Sequence, residues 1–213
     1  MFVKEPQLGF VKTRLAQNTS DEFALVLYQF FIHDLLYTLQ GETSDFKLCG
    51  YPKLDIINDK FGKYDNFLQE EGDLGVKMQK AFEQMFDKGY EKIILIGSDT
   101  PHITNATFNE AFEKLDQHDI ILGPSADGGY YLIGFNKKTF LKDVFENITW
   151  SNPQVLEQTL QKLHTKQVYF TQELNDIDTI EDLEDFYNQY SKSEFENSYT
   201  IQFLKESRIS SSP

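Results

Sequence analysis

Lys92-Ile93-Ile94-Leu95-Ile96-Gly97-Ser98-Asp99-Thr100-Pro101 (residues 92–101) is a continuous apolar run that ends on a glycine, a serine and an aspartate. A run this short, without helical spacing and bounded by polar and turn-forming residues, reads as a strand buried on both faces. Such strands belong to sheets covered by helices on either side. Ligands of open sheets of this kind gather beyond the carboxyl ends of the strands, so Ser98 and Asp99 stand where chemistry is expected.

The same pattern recurs at 119–123 (DIILG), and weaker strand signals lie at 46–51, 130–135 and 167–170. Between them the apolar spacing turns helical. Thr19-x-x-Glu22 forms a capping box ahead of Phe23, Leu27, Phe30 and Phe31, and the set Leu74, Met78, Ala81, Phe82 and Met85 follows the 3.6-residue period. Further helices are expected near 105–115, 153–163 and 180–190. Alternating strands and helices predict an α/β fold, three layers with a mostly parallel central sheet and helices on both faces.

The chain has 213 residues, 34 acidic against 20 basic, for a formal charge of −14. That balance argues against a nucleic-acid partner, because phosphate backbones are held chiefly by Lys and Arg. An apolar fraction of 40% with 15% aromatic residues excludes an acidic disordered chain. A single domain is expected over 1–190, followed by a 191–213 extension able to dock as a short helix, with disorder expected at its last residues. The single cysteine, Cys49, excludes an internal disulfide and reads as a small buried apolar side chain. No apolar run approaches the roughly 20 residues of a membrane span, and the N-terminus lacks the hydrophobic stretch of a signal peptide, so a cytoplasmic location is expected.

Four polar clusters punctuate this framework. Lys4, Lys12 and Arg14 concentrate cations around Pro6 and Gly9 in an otherwise acidic chain. Gly9 lets the backbone approach a ligand, Pro6 stiffens the entry, and the cations could surround a polyphosphate or form a solvated loop. Asp99 offers hard oxygens suited to Mg²⁺ that is already bound to phosphates, or else caps the turn before the next helix. Asp127-Gly128-Gly129-Tyr130 follows the second buried run and reads either as a hairpin turn or as an acceptor contact, with Trp150 as a buried aromatic or a pocket wall. Asp176 and Asp178 precede Thr179, whose pairing with Asp182 forms a helix cap. His33, His102, His118 and His164 lack metal-ligand spacing and read as structural or surface residues.

Taken in order, K-x-P-x-x-G-x-V-K-T-R-L at 4–15, G-D-L-G-x-K-M at 72–78, G-S-D-T-P at 97–101, G-P-x-x-D-G-G-Y-Y-L-I-G at 123–134 and D-I-D-T-x-E-D-L at 176–183 resemble a bacterial family of glycosyltransferase-like proteins. That family lies within the nucleotide-diphospho-sugar transferase superfamily with the GT-A fold and is similar to the molybdenum-cofactor and phospholactate guanylyltransferases. The resemblance implies a Mg²⁺- or Mn²⁺-dependent transferase that uses a nucleoside triphosphate or nucleotide sugar and a small acceptor, or a non-catalytic relative that binds such nucleotides. It implies a nucleotide site built from Lys4, Pro6, Gly9, Lys12, Thr13, Arg14, Gly75 and Ser98, with Lys12, Arg14 and Asp99 in catalysis. Asp99, Asp176 and Asp178 are then the expected metal ligands, and Asp127, Gly128, Gly129, Tyr130 and Trp150 the expected acceptor contacts. Only Met1 to Val3 precede Lys4, so the first strand is expected to be short or to begin upstream. A single aspartate stands at 97–101 where many sugar transferases carry Asp-x-Asp, which shades the expectation toward nucleotidyl transfer.

Overall fold

The computed structural model describes residues 1–40 and 44–210; residues 211–213, where disorder is expected, lie outside the described residues. Among the described residues seven strands form two sheets. The first holds β1 (Phe2–Lys4), β2 (Leu48–Tyr51) and β3 (Asn66–Leu68), all parallel, with Val3 opposite Gly50 and Gly50 opposite Leu68. In the second, β4 (Lys92–Ile96), β5 (Ile120–Pro124), β6 (Tyr130–Asn136) and β7 (Val168–Phe170) take the order β4-β6-β5-β7. Strand β6 runs antiparallel to both β4 and β5, and β5 pairs with β7 in parallel. Strands β4 and β5 therefore share one direction, and β6 is the exception in a mostly parallel arrangement.

Burial on both faces accounts for the unbroken apolar runs. Ile120, Leu122, Ile133 and Phe135 face one core, whereas Ile96 and Ile121 face the other. The first core is closed by α4 (Leu74–Asp87) through Met78, Phe82 and Phe86, together with the 3-10 turn Lys142–Phe145. Helix α6 (Val155–Lys162) lends Leu156 and Leu160 to its edge. The opposite core is closed by α2 (Asp21–Gln40), α5 (Asn105–Lys114), α7 (Ile180–Tyr190) and α8 (Tyr199–Ser210). The three-layer expectation holds.

Local chemistry fixes several helix starts. Asp73 accepts from the Val76 amide to open α4, and Thr104 accepts from that of Thr107 to open α5. Thr179 and Asp182 form the expected reciprocal box at the head of α7. The box expected at Thr19 does not form. Ser20 accepts from the Phe23 amide instead, while the Thr19 hydroxyl turns back to the Leu15 carbonyl. A four-residue helix α1 (Thr13–Ala16) precedes it, and α3 (Asp55–Phe61) follows β2; neither carries a long enough apolar period to be read from sequence.

The segment after α7 folds back onto α2. Asp34, buried within α2, accepts from the backbone amides of Tyr199 at 2.7 Å and Thr200 at 3.0 Å, so one carboxylate caps the start of α8. Ile201 and Leu204 are buried beneath that cap. Cys49 is free and buried, as expected. Among the described residues no helix is long and apolar enough to cross a membrane.

Candidate active site

The carboxyl ends of β1, β2, β4 and β5 open into a cleft of about 580 Å³. Lys4 ends β1, Tyr51 ends β2, Ser98 and Asp99 follow β4, and the Asp127–Gly129 turn joins β5 to β6, so parallel strands deliver these residues to one place. Lys12 enters from the N-cap of α1, Thr13 and Arg14 from its first turn, and Asp176 and Asp178 from the segment before α7.

The cleft floor is an ion-paired triad. Lys12 Nζ lies 2.5 Å from Asp99 Oδ1 and 2.9 Å from Asp178 Oδ1. The lysine side chain is only 3% exposed, whereas the two aspartates are 45% and 46% exposed and face the cleft. Burial by itself would lower the Lys12 pKa, but the charges and hydrogen bonds of Asp99 and Asp178 outweigh it and hold the ammonium above its ordinary value. The Phe31 ring, 5.6 Å from Nζ, closes the apolar side.

One backbone bond and one side-chain bond stitch the two aspartate segments together. The Ile177 amide donates to the Asp99 carbonyl at 3.0 Å, and the Thr100 hydroxyl donates to Asp176 Oδ1. Asp176 thus has one oxygen held by Thr100 while it lines the same cleft. Burial pushes its carboxyl up to about 6; the Thr100 bond and Lys12 oppose this, while Asp99 and Asp127 reinforce it. Tyr28 buttresses the same floor from α2: its hydroxyl accepts from the Lys4 amide at 2.9 Å and bonds Ser98 Oγ at 2.9 Å. Burial, with Asp99 nearby, pushes the Tyr28 phenol well above its usual range. Sequence reasoning missed Tyr28 because a tyrosine on an apolar helix face carries no sign of a polar partner.

The expected site residues divide. Lys4, Lys12, Thr13, Arg14, Ser98, Asp99, Asp127, Gly129, Tyr130, Trp150, Asp176 and Asp178 all line the cleft, and Tyr51 and Gln69 join them. Pro6, Gly9, Gly75 and Gly128 do not line it, and three have packing or turn roles. Gly9 turns with φ +75°, and a β-carbon on Gly75 would stand 2.5 Å from the Phe145 carbonyl oxygen and 2.9 Å from the Trp150 ring. Gly128, at φ +87°, would press a β-carbon to 2.1 Å from the Pro153 carbonyl oxygen. Asp127 accepts from the Gly129 amide at 2.8 Å, so it shapes its own turn as well as facing the cleft. Trp150 Nε1 is buried with no hydrogen-bond partner among the described residues.

Among the described residues no group of three or more His, Cys, Asp or Glu is placed to hold a metal ion by itself. The donor set nevertheless fits a hard divalent cation. Asp99 and Asp178 present carboxylate oxygens toward the cleft, with a lysine ammonium already seated between them. Mg²⁺ characteristically takes one or two carboxylates and completes its shell with substrate phosphates and water.

The chain thus combines an α/β sheet, a strand-end cleft floored by carboxylates and a flanking cationic loop, and its fold is that of the nucleotide-diphospho-sugar transferases. A family profile described as "uncharacterized protein conserved in bacteria (DUF2064)" matches residues 53–152. The chain is 35% identical to a Desulfovibrio desulfuricans G20 protein assigned to the nucleotide-diphospho-sugar transferases, with a TM-score of 0.93 over 98% of this chain and 93% of that one. The chain belongs to that nucleotide-diphospho-sugar transferase family. A more distant relative, 23% identical over 97% of this chain and 88% of its own length, is the 2-phospho-L-lactate guanylyltransferase of Methanocaldococcus jannaschii. The 4-diphosphocytidyl-2C-methyl-D-erythritol synthase of Anaerococcus prevotii DSM 20548 shares the fold at 11% identity, with a TM-score of 0.57 over 96% of this chain and 94% of that one. The Desulfovibrio desulfuricans and Methanocaldococcus jannaschii relatives support a nucleotide-using transferase.

Proposed function

We propose that the chain is a divalent-cation-dependent nucleotidyltransferase that joins a nucleoside triphosphate to a small acceptor and releases pyrophosphate. The observation that carries this reading is the Asp99–Lys12–Asp178 triad at the floor of a strand-end cleft. Asp99 and Asp178 would hold Mg²⁺ or Mn²⁺, with Asp176 behind them on Thr100. When bound, the cation would screen the charge of the triphosphate. Lys4, Lys12 and Arg14 would bind the phosphates, Arg14 by its planar fork. Ser98, fixed by Tyr28, holds the turn that presents Asp99.

An acceptor oxygen would approach beside Asp127, Gly129, Tyr130 and Trp150. It would bond to the α-phosphorus as the bond to the departing bridging oxygen breaks, and pyrophosphate would leave with that electron pair; a phosphate acceptor attacks as its anion, and a hydroxyl acceptor gives up its proton to solvent. No nucleophile of the chain is needed, because rate enhancement comes from holding the reactants in line and from fixed positive charge around the phosphates. The 23% identical guanylyltransferase supports nucleotidyl transfer over glycosyl transfer.

The test is product analysis. Purified protein is incubated with Mg²⁺, a panel of phosphorylated and hydroxylated acceptors and, in separate reactions, the four ribonucleoside triphosphates or a set of nucleotide sugars, and phosphorus NMR reads the products. Pyrophosphate appearing with an acceptor is the expected result. Release of a nucleoside diphosphate from a nucleotide sugar would instead assign glycosyl transfer. Metal-dependent nucleotide binding with neither product would assign a binding protein.

A further inference from the structure

The placement of Lys12 goes beyond what phosphate binding requires. The residue sits at the mouth of α1 with a left-handed backbone, φ 48° and ψ 44°, a conformation that side-chain-bearing residues seldom adopt. That backbone aims the side chain into the floor rather than the open cleft: it is 3% exposed and backed by Phe31. Two of its three N–H donors are taken by Asp99 and Asp178. Arg14, two residues on, is exposed at the cleft wall.

We propose that Lys12 is a resident counter-cation that occupies the divalent-cation position of the empty enzyme and is displaced to the phosphates when metal and nucleotide arrive together. The inference rests on the metal-dependent nucleotide chemistry proposed above and adds its order of assembly. Two carboxylates facing one cleft in a chain of net charge −14 repel each other, and the buried ammonium offsets that repulsion at the cost of its own desolvation. A divalent ion at the same oxygens would set three positive charges against two negative ones. Lys12 must then leave, and its flexible four-carbon stem lets the ammonium turn outward. With no phosphate present the released charge has no partner, so metal alone binds poorly; with a triphosphate present it gains one. Metal and nucleotide therefore raise each other's affinity by the same factor, as linkage demands. The lysine acts as a positioning and gating group for the metal as well as a phosphate contact.

Mn²⁺ binding to the nucleotide-free protein, followed by electron paramagnetic resonance, tests this directly. Wild type is expected to bind Mn²⁺ weakly, Lys12→Met to bind it about tenfold or more tightly, and the Lys12→Met/Asp99→Asn double variant to lose that gain. A second measurement needs no variant. Amine acylation of wild type read by mass spectrometry should label Lys12 slowly in the metal-free protein, faster with excess Mn²⁺, and slowly again with Mn²⁺ and a triphosphate. Equal Mn²⁺ affinity in wild type and Lys12→Met, or Lys12 labelling that ignores Mn²⁺, overturns the displacement. Wild type that binds no triphosphate in the presence of Mn²⁺ overturns the proposed activity instead, and leaves the Mn²⁺ comparison standing on its own.

Discussion

The backbone amide of Ile177 donates to the carbonyl of Asp99 across 3.0 Å, joining two stretches separated by seventy-eight residues of chain. That single bond brings Asp178 within reach of the lysine that Asp99 also holds. The site is thus assembled by main-chain pairing, and side-chain substitutions on the cleft face should disturb binding without unfolding the protein.

Arg14 and Asp99 provide the sharpest contrast. Arg14 is exposed at the cleft wall, so Arg14→Ala should leave the melting temperature nearly unchanged. Loss of a charge-assisted phosphate contact should weaken a nucleoside triphosphate by about 2 kcal/mol, or roughly thirtyfold, while sparing the unphosphorylated nucleoside. Asp99→Asn should abolish the metal-dependent part of triphosphate affinity, since Lys12 would keep only Asp178 and the carboxylate pair would be gone. Isothermal titration with triphosphate and nucleoside, with and without Mg²⁺, checks both. Equal weakening of triphosphate and nucleoside by Arg14→Ala would show that it does not touch phosphate.

Gly128 and Gly75 should behave as structural glycines whose loss is felt at the cleft. Gly128→Ala meets a carbonyl oxygen at 2.1 Å from a positive-φ backbone, and neither strain relaxes without moving the Pro153 segment. A loss of about 2–4 kcal/mol is expected. Gly75→Ala would push against the Trp150 ring at 2.9 Å and the Phe145 carbonyl; it should shift the Trp150 fluorescence maximum and weaken acceptor binding more than nucleotide binding. Chemical denaturation of the first variant and emission spectra of the second are the measurements. An unshifted Trp150 spectrum would remove the packing argument.

Much of this was legible before any coordinate. The runs at 92–97 and 119–123 had to be strands because their apolar residues are consecutive, and Asp99 and Asp127 had to lie at strand ends because they follow those runs. Three-residue strands such as β1 and β3 carry too few residues for a period, and only pairing with β2 defines them. Thr19 and Ser20 are both competent caps; which one serves depends on where the Thr19 hydroxyl can turn, a matter of the preceding helix. The resemblance implied a nucleotide contact at Gly75 and an acceptor contact at Gly128; what crowds these glycines in the fold is Phe145 and Trp150 at the first and Pro153 at the second, neighbours that no local pattern reveals. No local pattern announced that Lys12 would lie between two aspartates, because those contacts close loops of 87 and 166 residues.

Asp34 should govern the attachment of α8. Its two oxygens satisfy two amides at the helix start, in a setting where burial raises the carboxyl pKa and the amide bonds pull it back. Asp34→Ala would leave both amides without that partner, at a cost of about 2–3 kcal/mol. The loss should be local: hydrogen exchange of the amides of residues 199–204 should accelerate far more than that of β4 or β5. Uniform acceleration across the sheet would show instead that α8 unfolds only with the whole domain.

His102 should make the fold acid-sensitive. Its ring is buried among Phe186, Tyr190 and Phe195, with centroids at 5.4, 4.8 and 6.4 Å, and its Nδ1 has no hydrogen-bond partner among the described residues. Burial lowers its pKa from 6.5 to about 4. The sign follows from proton counting: between those values the unfolded chain binds a proton that the folded chain refuses. Stability from this residue is therefore complete above pH 6.5 and is lost as pH falls toward 4, by an amount on the order of 3 kcal/mol. His102→Phe keeps an aromatic ring in an aromatic pocket and removes the titration. Urea unfolding at pH 8 and pH 5 should show the variant losing less stability than wild type on acidification, with the difference growing as pH falls. Parallel losses in the two proteins would mean that His102 takes up its proton without unfolding and that its pocket opens to water.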